Sequence, residues 1–180
     1  MNDNLRTESS LAMLKVFVVD VDGTMTDSGI IYDETGNELK RFSTRDYVGI
    51  VAAHFINIKI IVLTGRECEA TKRRLNELKV DYIFQNVKNK ATFLQNFAKE
   101  KGLTKENIGY IGDDLNDYFA MHSAGFVACP ADSCEEVKQI SHYISSCAGG
   151  YGVVQDVMRH VLIELGECDK FINEIILNGY

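Results

Sequence analysis

Where the sequence turns from apolar to acidic, it gathers the residues that can do chemistry. The run Val16-Phe17-Val18-Val19 ends in Asp20-Val21-Asp22-Gly23-Thr24, and Ile108-Gly109-Tyr110-Ile111 ends in Gly112-Asp113-Asp114-Leu115-Asn116-Asp117. A third apolar run, Lys59-Ile60-Ile61-Val62-Leu63, ends in Thr64-Gly65-Arg66. Carboxylates held close together repel unless a cation or a shared proton lies between them. Such a set contains a nucleophile, an acid and base, oxygen ligands for a hard divalent cation, and donors for an anion. Lys90 opens a predicted helix, where the dipole disfavours a cation, so it needs a local reason to be there. Together these residues suit phosphoryl transfer, which depends on positioning and charge neutralisation. Magnesium is the metal they fit, because nothing nearby offers the thiolate or imidazole that zinc prefers. The plainer reading of Asp-x-Asp-Gly is an Asx turn closing a strand. A second strand ending in carboxylates weighs against it.

The elements that must position these residues follow from periodicity. Short runs rich in β-branched residues suit parallel strands buried on both faces. The pattern predicts strands at 15–19, 59–63, 82–84, 108–111, 126–128 and 143–144. Helices are predicted from Thr44 or Asp46 to Phe55, over 67–78, over 90–101 closed by Gly102, after a cap at Asp132 or Ser133, over 153–165 and over 168–177. Asp20 and Asp22, two apart, would share a face if the first strand continued, and Gly23 would let it turn away. Residues 29–43 read as a β-hairpin flap beside the carboxylates. Alternating strands and helices imply a Rossmann-like α/β three-layer sandwich with a central parallel sheet. Its strand ends then collect Asp20, Asp22, Thr64, Gly65, Asp113, Asp114 and Asp117 at one edge, with Lys90 close by.

Composition narrows the function classes. One domain fits 180 residues, with residues 1–13 expected as a disordered tail and 166–180 as a C-terminal helix or tail. A net charge of −7 disfavours nucleic acid and anionic membrane as partners, while local cations still allow an anionic small substrate. No apolar run approaches the roughly 18 residues of a membrane span. The polar start lacks a signal-peptide pattern, so a cytoplasmic protein is expected. Five cysteines without a Cys-x-x-Cys pair predict reduced, mostly buried thiols, and four scattered histidines predict structural roles.

Asp20-Val-Asp22-Gly-Thr24, Thr64-Gly65, Lys90 and Gly112-Asp113-Asp114-Leu-Asn-Asp117 resemble, in that order, the four motifs of the haloacid dehalogenase superfamily. The resemblance implies that Asp20 attacks phosphorus to form an aspartyl-phosphate. It implies that Asp22 protonates the leaving oxygen and later activates water, that Thr64 and Gly65 hold phosphate oxygens, and that Lys90 neutralises the transferring group. The implied magnesium site is Asp20, Asp113, Asp117 and Asp22 through its main-chain carbonyl, with Asp117 orienting Lys90 or a metal-bound water.

Beyond the superfamily, Gly36-Asn37-Glu38-Leu39-Lys40-Arg41-Phe42, Arg45-Asp46, Gly49-Ile50, Thr64-Gly65-Arg66 and Gly149-Gly150-x-Gly152 resemble the capless phosphatases of 3-deoxy-D-manno-octulosonate 8-phosphate, in lipopolysaccharide biosynthesis. This implies Arg45, Arg66 and Tyr151 as sugar-acid contacts. Ser28, Tyr47 and Asn86 stand where that pattern has glycine, and Tyr151 and Gln155 where it has arginine. An arginine can bind a carboxylate bidentately and a tyrosine cannot, so a sialic or deaminated sialic acid 9-phosphate is the alternative substrate. A catalytically silent, oligomer-forming domain is the alternative of another class; every expected catalytic position is filled. A receiver domain would place its acidic doublet and acceptor on different strands, and no P-loop pattern occurs. Ile30, Ile31 and Tyr32 are apolar residues that a lone hairpin cannot bury, which with the resemblance predicts a homotetramer whose neighbouring subunits wall the site.

Overall fold

The computed structural model describes residues 11–179. Six parallel strands form the sheet: β1 (Val16–Val19), β4 (Lys59–Leu63), β5 (Tyr82–Phe84), β6 (Ile108–Ile111), β7 (Phe126–Cys129) and β8 (Tyr143–Ile144), in the order β5-β4-β1-β6-β7-β8. A separate antiparallel pair, β2 (Ile31–Tyr32) and β3 (Glu38–Leu39), makes the flap. Helices are α1 (Asp46–Phe55), α2 (Glu69–Glu77), α3 (Lys90–Lys101), α4 (Leu115–Met121), α5 (Glu135–Ile140), α6 (Val153–Glu164) and α7 (Cys168–Asn178).

The two-residue period of a strand sends alternate side chains to opposite faces, which here become two cores. Phe17, Val19, Ile60 and Val62 join the core under α1, α2, α6 and α7, whereas Val16, Val18, Ile61 and Leu63 join the one under α3, α4 and α5. All four residues of β1 are buried, as expected of a central strand covered on both sides. The result is the predicted three-layer α/β sandwich. No described helix is long and apolar enough to cross a membrane.

Several local expectations change. The predicted tail at 1–13 lies mostly outside the described residues, but Leu11 is 1% exposed and sits in the core, so the packed chain begins earlier than expected. Neither Thr44 nor Asp46 caps α1; Arg45 occupies that position without a side-chain bond. The Asp46 carboxylate instead accepts from the Val154 amide at 3.1 Å, satisfying a donor at the start of α6. Nor do Asp132 and Ser133 cap α5, where Cys134 holds the position and Asp132 accepts from the Gly149 amide. All five cysteines are free, with Cys68 and Cys129 buried and the other three half-buried, fewer than expected. Among the histidines, His54 pairs with Asp81 and His142 accepts from the Val127 amide, both structural roles.

Candidate active site

The central register puts Val19 beside Val62 and Ile111, so β4, β1 and β6 end side by side. Asp20 follows β1, still tied to the sheet through its amide to the Ile111 carbonyl, and is 2% exposed. The strand does not continue to Asp22, as the expectation of a shared face required. The chain turns at Val21–Met25, with non-helical backbone at Asp22 (ψ 105°) and Gly23 (φ 99°). A Cβ on Gly23 would lie 1.9 Å from Oδ2 of Asp113, so the turn needs glycine both for its dihedral and for this approach. The turn gives the two aspartates different surroundings: Asp20 stays buried, while Asp22 is half-buried and meets the flap through Lys40.

Lys90 supplies the local reason its position demanded. Its Nζ donates to Asp20 Oδ1 at 2.6 Å and to Asp117 Oδ1 at 2.7 Å, with its side chain 2% exposed. Burial lowers the lysine's pKa, but the two carboxylates outweigh it and hold the ammonium above its ordinary value. Asp117, in the first turn of α4, also accepts from the Tyr110 hydroxyl at 2.7 Å and from the Asp113 amide at 3.3 Å. Asp114 caps α4 by accepting from the Leu115 amide. Tyr110 was absent from the sequence-based site, although a phenol in a fully buried aliphatic strand signals that its hydroxyl has a partner.

Asp20, Asp113 and Asp117 each offer a carboxylate oxygen within 4.8 Å of the others. Burial, then the Asp117 carboxylate, push Asp20 well above the ordinary carboxylate range against the pull of Lys90. Burial, again followed by Asp117, pushes Asp113 up to about 7. Asp20 Oδ2 is buried with no hydrogen-bond partner. Three carboxylates against one ammonium leave an excess of negative charge that a divalent cation would neutralise. The donor set therefore fits magnesium, with Asp20 Oδ2 the orphaned acceptor that a metal would satisfy.

The phosphate-binding candidates sit at the end of β4. Thr64 is buried, its amide donates to the Phe84 carbonyl and its own carbonyl accepts from the Val87 amide. Gly65 is braced by Lys88, whose Nζ donates to its carbonyl at 2.8 Å. The sugar-contact candidates fall into two groups. Arg66 donates from Nη2 to Glu38 Oε2 at 2.7 Å and to the Tyr32 hydroxyl at 3.4 Å, which ties it to the flap. Tyr151 is exposed, lies 4.7 Å below the Arg41 guanidinium, and adjoins Gly152, where an added Cβ would meet the stem of Arg45.

Known proteins resemble this chain in sequence and fold. The model of the haloacid dehalogenase-like hydrolases matches residues 82–156, which carry Lys90, Asp113 and Asp117. A 3-deoxy-D-manno-octulosonate 8-phosphate phosphatase from Salmonella typhi is 31% identical over 157 residues, 87% of this chain and 84% of that one. One from Haemophilus influenzae is 31% identical and covers 91% of each chain. Among solved structures, the Moraxella catarrhalis phosphatase in complex with magnesium ion, phosphate ion and KDO aligns with TM-score 0.89 and 34% identity, covering 94% of this chain and 98% of that one. The cobalt-bound Haemophilus influenzae phosphatase aligns with TM-score 0.84 and 31% identity, covering 90% and 95%. Fold and site thus define a haloacid dehalogenase-like hydrolase. Within that class, the chain belongs to the family of 3-deoxy-D-manno-octulosonate 8-phosphate phosphatases.

Proposed function

We propose that this chain is a magnesium-dependent phosphatase that converts 3-deoxy-D-manno-octulosonate 8-phosphate to 3-deoxy-D-manno-octulosonate and phosphate, working as a single capless domain in a cytoplasmic homotetramer. The observation that carries the chemistry is the buried Asp20 carboxylate, held by Lys90 on one oxygen and unpartnered on the other, beside Asp113.

A carboxylate oxygen of Asp20 attacks phosphorus. The bond from phosphorus to the sugar oxygen breaks, and that oxygen takes a proton from Asp22. Water then attacks the aspartyl-phosphate, gives its proton to Asp22, and releases phosphate with Asp20 regenerated. Lys90 would neutralise charge on the transferring group, and Thr64 with Gly65 would hold its oxygens. Asp117 takes Lys90, Tyr110 and the Asp113 amide on its two oxygens, a set of bonds that suits orienting its neighbours. Asp20, Asp113 and the Asp22 main-chain carbonyl would hold magnesium, with Asp117 behind them, and the ion would supply the positive charge that lets a phosphate dianion approach a carboxylate.

The five free thiols suit a reducing compartment. Exposed Ile30, Ile31, Tyr32 and Leu39 on the flap support assembly. Tyr151 bears on sugar choice, because its ring meets Arg41 and offers no carboxylate fork. The deciding experiment is phosphate release from octulosonate 8-phosphate, sialic acid 9-phosphate, its deaminated analogue and simple sugar phosphates. Octulosonate 8-phosphate should give the highest kcat/KM; preference for a nine-carbon acid would move the assignment to the sialic acid branch, and no turnover of any would favour a silent domain.

A further inference from the structure

Lys40 lies just past β3, and its side chain is only 1% exposed. Burying an ammonium costs several kcal/mol unless carboxylates compensate, and here two do. Its Nζ bonds Oδ1 of Asp22 and stands 3.3 Å from Oε1 of Glu38. Glu38 in turn receives Arg66, from Nη2 at 2.7 Å and from Nε at 3.4 Å. A continuous line of opposite charges therefore runs from Arg66 at the end of β4, through Glu38 and Lys40 of the flap, to Asp22 in the turn after β1. Asp22 has no other side-chain partner among the described residues, so Lys40 alone fixes one of its oxygens and leaves Oδ2 for proton exchange.

We propose that Lys40 is a positioning residue of the reaction, holding the Asp22 carboxylate in the orientation from which Oδ2 serves the leaving oxygen. The flap then belongs to the catalytic apparatus. It anchors the acid and base from above the turn, and Glu38 keeps Lys40 in line by sharing its charge with Arg66. An unrestrained aspartate on a half-exposed turn would sample several rotamers, few of them aimed at the sugar oxygen. This rests on the reading of Asp22 as acid and base given above.

Leaving-group dependence tests the proposal. Departure of a sugar alkoxide needs a proton, whereas 4-nitrophenolate leaves without one, so a residue that aims the acid matters for the first and little for the second. Lys40→Met keeps the apolar stem and removes the ammonium. Leaving-group release is measured in a single turnover, with enzyme in excess, on the alkyl phosphate that the wild-type protein turns over best and on 4-nitrophenyl phosphate. The loss on the alkyl phosphate should exceed the loss on the aryl phosphate by at least about tenfold. Asp22→Asn should show the same contrast, and adding Lys40→Met to it should cost little more, because both act at one step. Lys40→Arg should recover part of the alkyl rate. Equal losses on both substrates, no loss on either, or additive losses with Asp22→Asn would each overturn the proposal. Should Lys40→Met fail to fold, Lys40→Gln takes its place under the same criteria. A wild-type protein that prefers another sugar phosphate would refute the substrate assignment while leaving the Lys40 contrast readable.

Discussion

Lys90 and Asp20 meet at 2.6 Å from opposite ends of different elements, the first residue of a helix and the first residue past a strand. The bond is buried, and Asp117 makes the lysine the centre of a three-group cluster. Removing the only cation from such a cluster leaves buried carboxylates facing one another, which typically costs about 3 to 5 kcal/mol. Lys90→Met should therefore lose stability of that order in urea unfolding, as well as activity. Added magnesium should shrink the deficit, since it restores positive charge at the same carboxylates. A variant as stable as the parent without magnesium would contradict the charge balance described here.

Asp20 and Asp22 have identical side chains in different surroundings, so their asparagine variants should fail differently. With Asp20 as the proposed nucleophile, intact-protein mass of Asp20→Asn after acid quench should show no phosphoenzyme. Asp22→Asn should still form one, more slowly, with turnover reduced by about 10² to 10⁴. Chelation should silence the wild-type protein, and magnesium should restore it; Asp113→Ala should need far more magnesium for any activity. Full turnover in excess chelator would remove the metal from the mechanism.

Asp46 makes stability depend on pH. Its Oδ1 accepts from the Val154 amide and its Oδ2 is buried without a partner. Burial raises its pKa to about 7, opposed by the amides of Val154 and Gln155 and by the charge of Arg74. In the unfolded chain an aspartate titrates near about 4. Between those values the folded state binds the extra proton, so this group's contribution to stability falls as pH rises from about 4 to 7. Asp46→Asn removes the dependence. Relative to wild type, its stability should therefore rise by about 2 to 3 kcal/mol between pH 5 and pH 8. A difference that stays flat across that range would show that Asp46 is ionised in the fold.

Much of this architecture was legible because local signals and tertiary demands agree. β1 and β4 are runs rich in β-branched residues and almost wholly buried, and the motifs at Asp20, Thr64 and Asp113 follow the ends of β1, β4 and β6. The pairings of Asp46 with Val154 and of Lys40 with Asp22 are not legible in the chain, because those partners lie on other elements. Nothing near Asp46 in the chain distinguishes a cap on its own helix from a bond to α6, 108 residues away. The sequence pattern misplaces Asp22 for a related reason: the two-residue alternation holds only while the strand lasts, and β1 ends at Val19, before the turn that carries Asp22 and Gly23.

Two departures from the family pattern carry a stability prediction. Ser28 and Asn86, which stand where that pattern has glycine, both adopt left-handed backbone, with φ 62° and 59°. Tyr47, the third such position, does not share it and lies in α1. A side chain in that region costs about 1 to 2 kcal/mol, less for asparagine, while glycine loses roughly 0.5 to 1 kcal/mol in chain entropy. Ser28→Gly should thus be neutral to about 1 kcal/mol stabilising, and Asn86→Gly closer to neutral. Thermal melts showing clear destabilisation by Ser28→Gly would mean its side chain makes a compensating contribution.

In the proposed homotetramer the flap would link assembly to selectivity. β2 and β3 have two residues each, too few to be stable alone, yet they hold Lys40 and Glu38 in the site and expose Ile30 at 42%, Ile31 at 58%, Tyr32 at 62% and Leu39 at 48%. Apolar residues concentrated on so small an element mark a contact surface. If hairpins of neighbouring subunits cover one another, replacing Ile30 and Ile31 with serine should reduce the mass in light scattering at micromolar concentration. The variant should also lose discrimination between sugar-acid phosphates, because a loosened flap no longer presents Arg66 through Glu38. Release of 4-nitrophenolate should fall less, since Asp20 and Asp113 follow the ends of β1 and β6 and Lys90 opens α3, all apart from the flap. A wild-type monomer that retains full selectivity would show that one chain suffices to wall the site.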